Sequence, residues 1–213
     1  MTSHKPPVCT KRPTVGIARR GAGFTLTELI ITVTIAGLLA AMAAPAIGTL
    51  VSNQRISGQA NDLLADLNLA RSEGIRRGAA VVICKTANPS ATSPTCNTTD
   101  ANEWTSGRLI FADADGDNQL DAGEEVLRVR QALEGTTNRL LGDGAATGSA
   151  NRIVYQANGV AGSAAGTVFG GEVQLRVCDA RGGAQALAIA IQPTGRARVT
   201  AKGVDMGGAA INC

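Results

Sequence analysis

The pattern of apolar and polar positions changes abruptly along this chain, and each change marks an element. Residues 1–23 are polar and basic. An apolar run opens at Phe24, and from Leu29 through Gln54 no charged residue interrupts it. A helix needs roughly 20 apolar residues to cross a bilayer, so residues 24–52 are predicted to form a membrane-spanning helix. Pro45 lies inside that run; without an amide hydrogen it removes one helical hydrogen bond, which predicts a kink. From Arg55 the pattern turns amphipathic. Ile56, Ala60, Leu63, Leu64, Leu67, Ala70 and Ile75 recur mostly at three- and four-residue steps, with Arg55, Asp62, Asp66, Arg71 and Glu73 assigned to the opposite face. Gly74 and Gly78 bracket the helix end near residue 77, where Arg76 and Arg77 suit the negative terminus.

Beyond Gly78 the texture is one of short alternating segments separated by glycine-rich turns. Strands are predicted over 79–85, 107–112, 125–131, 152–156, 172–178, 185–192 and 197–202. Glu172–Val177 alternates polar and apolar strictly, as a half-buried antiparallel strand should. Segments 86–102 and 142–151 read as loops. Gly142-Asp143-Gly144 and Gly148 have a faint phosphate-loop texture, but no Gly-Lys-Ser/Thr follows, so they read as a turn. Several strands after one helix define an α+β class: a long N-terminal helix, its second half packed on a small antiparallel sheet over 79–213.

Charge changes the picture once the leader is set apart. Residues 1–23 carry five of the 20 Lys and Arg and none of the 17 acids, so the remainder holds 15 bases against 17 acids, a net −2. The basic leader is thus an orientation signal that holds the N-terminus on the cytoplasmic side. The only histidine, His4, is in the leader. After residue 23 there is no histidine for a Ser-His-Asp or Cys-His centre or for the commonest zinc ligand. No activated-nucleophile pattern or cofactor loop remains either, so the chain reads as a non-enzyme. Cys9 is also in the leader, and Cys84, Cys96, Cys178 and Cys213 then form an even set suited to two disulfides in an exported head. Of three connectivities, Cys84–Cys96 with Cys178–Cys213 is favoured, because each closes a local segment. A metal or redox pair is disfavoured by the lack of CxxC spacing.

Gly21-Ala-Gly-Phe-Thr-Leu-Thr-Glu28, followed by the apolar run, resembles the class III signal of type IV pilins and pseudopilins. A secretory signal peptide would share the basic n-region and could be cut at Ala41-Met42-Ala43 or Ala44-Pro45-Ala46, but the apolar run is too long for one. The resemblance implies that a prepilin peptidase cleaves between Gly23 and Phe24 and methylates Phe24. It also implies that Glu28 pairs with a neighbouring subunit's N-terminus, a job consistent with the cost of a carboxylate at membrane depth. Asp62–Ile75, Val81–Cys84, Gly107–Phe111 and Gly123–Arg128 narrow the match to sequences similar to the GspH/FimT group of minor pilins and pseudopilins. That membership implies a single-pass inner-membrane subunit with a periplasmic head, reaching a pilus tip or the cell surface beside other minor and major pilins. The stretch 131–170 matches no familiar pattern.

Two head segments carry candidate chemistry. In Gln192-Pro-Thr-Gly195-Arg196-Ala-Arg198, the two arginines project to one side of an extended chain, with Lys202 close behind. Adjacent guanidiniums repel each other and grip phosphates with paired donors. Gly-Arg-x-Arg, with Gly195 opening it, resembles the DNA-binding motif of FimT-type minor pilins, which implies sequence-independent uptake of DNA during natural transformation. From residue 126 onward nine bases face five acids, which agrees. The plainer reading is a solvated strand face on a subunit that only primes assembly of a pilus or a secretion pseudopilus. Few aromatics remain after the leader (Phe24, Trp104, Phe111, Tyr155 and Phe169), so base stacking is not expected. The second segment places Asp113, Asp115, Asp117, Asp121 and Glu124 at loop positions 1, 3, 5, 9 and 12, an EF-hand-like calcium spacing. Asn118 replaces the usual glycine there but tolerates the left-handed turn. The alternative is a solvated acidic hairpin without metal.

Overall fold

The computed structural model describes residues 23–98, 104–133, 139–142, 151–205 and 207–213. One helix, α1, runs from Leu26 to Arg77 with Pro45 inside it. Thr25 caps it: its hydroxyl accepts from the Glu28 amide at 3.2 Å, satisfying one of the first-turn donors that no helix can pair internally. At the other end Gly78 takes φ 64°, and its amide donates to the Gly74 carbonyl at 3.0 Å, a left-handed stop that glycine adopts without strain.

The chain divides into two compact units, Met1–Ala46 and Ile47–Cys213. In the first, every described residue is exposed, including Leu29, Ile30, Ile31, Val33, Ile35, Leu38 and Leu39. This part of α1 is long and apolar enough to cross a membrane. In the second unit α1 buries a stripe of Ile56, Ala60, Leu63, Asp66, Leu67, Ala70 and Gly74. Two expectations are corrected here. Ile75 is 53 % exposed, because the stripe turns through Gly74 instead; and Asp66, assigned to the solvent face, is fully buried.

Two antiparallel sheets complete the head. The first has the order β3 (Val126–Arg130), β2 (Arg108–Asp113), β1 (Ala80–Lys85), β5 (Arg152–Tyr155) and β6 (Ala161–Gly162). The second has the order β4 (Arg139–Gly142), β7 (Val173–Cys178), β8 (Leu187–Ile191) and β9 (Ala197–Val199). β4 and β6 fall within 131–170, the stretch that matched no familiar pattern, and neither strand was predicted; Gly142, read as the start of a loop, ends β4. The rest of the supposed phosphate-loop texture lies outside the described residues.

Apolar residues of α1, β1, β5, β7 and β8 meet in a single core that includes Leu63, Leu67, Ile83, Ile153, Leu175 and Ile189. Strand β1 is covered on both faces. Val81 and Ile83 join that core, while Val82 and Cys84 pack with Leu109, Phe111 and Val154 on the other side, which explains its uninterrupted apolar text. Each fully buried Leu or Ile contributes about 1.5–3 kcal/mol over an exposed one. Disulfides join Cys84 to Cys96 and Cys178 to Cys213; the second ties the C-terminal residue to the end of β7.

Candidate functional site

Strand β9 is the edge of the second sheet, and its alternation sets the side-chain directions. Ile189 pairs with Val199, Ala190 with Arg198 and Ile191 with Ala197. Val199 and Ala197 pack on the core, so Arg198 points to the outer face, where it is exposed. Between Arg198 and β7 lies Ala190, whose short side chain leaves the guanidinium room to approach Glu172 at 3.6 Å. Arg196 precedes the strand and is exposed; among the described residues its guanidinium has no ion-pair or hydrogen-bond partner.

The turn carrying Arg196 is rigidly held. The Gln192 amide donates to the Arg196 carbonyl at 2.9 Å, and the Gly195 amide donates to the Gln192 carbonyl at 2.8 Å. Arg71 of α1 reaches across the chain to donate to the carbonyls of Gly159 and Thr194, both at 3.1 Å. Gly195 has φ 79°, and a Cβ there would lie 1.9 Å from the Gly159 carbonyl oxygen. Gly195 is therefore buried backbone that permits the close approach of two turns, rather than a contact residue as its grouping with the arginines implied. Lys202 is exposed but turns to Asn53 of α1, donating to Oδ1 at 3.0 Å, and Arg181 shares that acceptor at 2.8 Å. The structure thus leaves Arg196 and Arg198 as the outward pair and sets Arg71 beneath them.

A second cationic cluster was not anticipated from the sequence. Asp66 is fully buried and accepts from Arg108 Nη2 at 2.8 Å, Arg128 Nη1 at 3.0 Å and Arg130 Nε at 3.1 Å. Arg108 is itself 2 % exposed. Buried charges persist only when paired and hydrogen-bonded, and one carboxylate here orders the ends of β2 and β3 on α1. The signal was available: Asp66 lies three residues after Leu63 and four before Ala70, within the apolar stripe.

The acidic hairpin Asp113–Glu124 folds on itself. Asp113 is buried and accepts from the amides of Gly116 at 2.8 Å and Asn118 at 3.1 Å. Burial pushes its carboxyl above the usual range. Asn118 takes φ 65°, filling the turn position where glycine was missing. Glu124 accepts from the Ala114 amide at 2.7 Å and the Asp121 amide at 3.0 Å. Carboxylate oxygens of Asp113, Asp115 and Asp117 lie within 4.8 Å of one another.

Gly23 and Phe24 precede the helix, with Phe24 82 % exposed, and Glu28 stands in the first turn of α1. A carboxylate at that end complements the positive N-terminus.

This architecture is that of a pilin-type subunit: one long helix, apolar and uncovered in its first part, carrying an antiparallel α+β head in its second. The sequence profile of the type II transport protein GspH matches residues 59–195, and that of the prokaryotic N-terminal methylation motif matches residues 18–44. The chain belongs to the GspH family of type IV minor pilins and pseudopilins. Among solved structures, the type IV minor pilin FimU of Pseudomonas aeruginosa matches with a TM-score of 0.51 at 17 % identity, covering 71 % of this chain and 92 % of that one. A second crystal form of the same protein matches at 0.47 and 18 % identity, covering 68 % and 91 %. No curated protein matches the chain.

Proposed function

We propose that this subunit is a minor type IV pilin that binds extracellular DNA without sequence preference, through Arg196 and Arg198, for uptake in natural transformation. The observation that carries this reading is the exposed Arg196 guanidinium, unpartnered among the described residues, beside Arg198 on a turn that Arg71 holds in place. The held backbone presents both guanidiniums to solvent, and a guanidinium grips phosphate oxygens with paired donors. The Arg198–Glu172 contact at 3.6 Å is long and half-exposed, so a phosphate displaces it at low cost. Phosphate contacts supply affinity without base information.

In this reading a prepilin peptidase cleaves after Gly23 and methylates Phe24, and Glu28 pairs with a neighbouring subunit's N-terminal amine. The helix anchors the subunit in the inner membrane with its head in the periplasm until assembly carries it to the pilus tip. The processed protein in detergent, mixed with a labelled random duplex, should show anisotropy that falls with salt at a slope of about −0.9 per phosphate contact. The Arg196→Ala/Arg198→Ala double variant should lose that binding. Equal binding by the double variant, or none at low salt, would leave a subunit that primes assembly without touching DNA.

A further inference from the structure

Below the Asp66 cluster the head opens into a pocket of about 480 Å³, lined in part by Arg55, Gln59, Asp62, Arg108, Arg130 and Gln131. All of these belong to the second unit. Its charges do not balance. Among the described lining residues, Arg55, Arg108 and Arg130 face Asp62, three cations against one anion. Asp66 is already shared among three arginines, and among the described residues Asp62 reaches only Arg130, at 3.6 Å. Arg55 is exposed at the rim and has no ion-pair or hydrogen-bond partner among the described residues. Like charges brought together and partly desolvated repel unless an anion joins them.

The complement lies at the other end of the same ribbon. Arg108 pairs with Arg130 at one end of β2 and β3, and the hairpin joining their far ends carries Asp115, Asp117, Asp121 and Glu124, all solvent-accessible. Arg77, 22 positions along α1 from Arg55, bonds Glu125 at 2.7 Å beside that hairpin. At 1.5 Å per residue the two ends stand about 33 Å apart along the helix. Unlike patches at opposite ends of one subunit form head-to-tail contacts, which build open filaments rather than closed dimers.

We infer that the pocket is a socket for an acidic hairpin of the next subunit in the fibre, of the kind this chain carries over Asp113–Glu124. A carboxylate from that hairpin meets Arg55 at the rim and the exposed side of Arg130 beside it. DNA binding plays no part in this socket, and either can fail without the other.

Binding of a fluorescent peptide of residues 112–126 to the processed full-length protein in detergent, read by anisotropy, tests the socket. The expected result is saturable binding that weakens at least tenfold in Arg55→Glu, and equally when the peptide's acids are replaced by Asn and Gln. Arg55→Lys should retain most of it, and Arg196→Ala/Arg198→Ala should leave it unchanged. Arg55 bonds nothing among the described residues, so its variants keep the wild-type thermal midpoint. No binding, or binding indifferent to Arg55→Glu, would overturn the socket. Loss in the Arg196→Ala/Arg198→Ala variant would instead place the acidic peptide on the other basic patch, and would overturn it equally. Glu134 follows the pocket residue Leu133 and lies outside the described residues; binding that emerges only in Glu134→Gln would mean that the chain supplies its own acid, and would also overturn the proposal.

Discussion

Around Asp66, three guanidiniums converge on one carboxylate that is fully buried. At β9, two guanidiniums stand exposed, and the nearest acid, Glu172, lies 3.6 Å from one of them. The residue type is the same and the physical situations are opposite. Inside the head, water does not reach Asp66 or Arg108, so their pairing must be closed by the fold and its removal is costly, while Arg128 and Arg130 keep part of their surface in solvent. At the edge strand water solvates both arginines, so the fold neither needs their charge nor consumes it. Arginines of the first kind hold the protein together, and those of the second kind are available to something else.

The hardest test of that contrast is Asp66→Ala. It leaves Arg108 buried without its partner and Arg128 and Arg130 facing each other, and breaking a buried pair in this way costs about 3–5 kcal/mol. Denaturant unfolding of the unit beginning at Ile47 should record that loss. A change under about 1 kcal/mol would mean that the arginines swing into water and that the cluster is not structural.

Arg71→Ala separates support from contact. It removes two charge-assisted bonds to the carbonyls of Gly159 and Thr194, each of a kind that contributes about 1.5–3 kcal/mol when fully formed; partial exposure puts the expected loss nearer the lower figure. Amide exchange at Gly195 should quicken, since its hydrogen bond to Gln192 depends on the same turn. DNA affinity should fall as well, although Arg196 and Arg198 are intact. Unchanged exchange with reduced affinity would mean that Arg71 itself touches the ligand.

Arg196→Ala/Arg198→Ala should move stability by no more than about 0.5 kcal/mol, as for surface positions generally. In each single variant the salt slope of the proposed DNA binding should shrink by about 0.9 for each phosphate no longer neutralised. A large stability loss in the double variant would erase the distinction between the two clusters.

The exposed cluster was the more legible of the two in the sequence. Alternation at period two places Arg198 opposite Val199 without any tertiary knowledge, and β7 and β8 follow from the same rule, while β1, β2 and β5 were legible as short apolar runs between glycine-rich turns. The helix stripe was legible as far as Ala70. Asp66 was misplaced because its residue type outweighed its position, though its spacing from Leu63 and Ala70 put it on the buried face. β4 and β6 have four and two residues, too few for any periodicity to register. The Arg71 anchor spans 88 and 123 positions, and nothing local to Arg71 announces it. In the acidic hairpin, spacing suggested ligands but could not reveal that Glu124 closes the turn by accepting from the Ala114 and Asp121 amides.

The smallest effect concerns a third arginine cluster, intermediate between the other two. Glu73 accepts from Arg76 and Arg77 on the last turn of α1, and those bonds hold its carboxyl far below the usual 4.5, at about 2. A group whose folded value is depressed contributes stability that is complete above its unfolded value and disappears as pH falls through its folded value. The Glu73 contribution is therefore present at pH 7, erodes below about pH 4.5 and is gone near pH 2. Asp113 works in the opposite sense. Its raised folded value means the native state holds that proton more tightly, so its protonation favours the fold at acid pH, an advantage lost as pH rises through that value. Glu73→Gln should lower the thermal midpoint at pH 7 by a little and not at all near pH 2, so the two curves converge on acidification. Asp113→Asn should act only on the acid-favoured component and leave that convergence in place. Parallel curves for wild type and Glu73→Gln from about pH 7 to about pH 2 would show that water screens this pair completely, and would group it with the exposed arginines of β9.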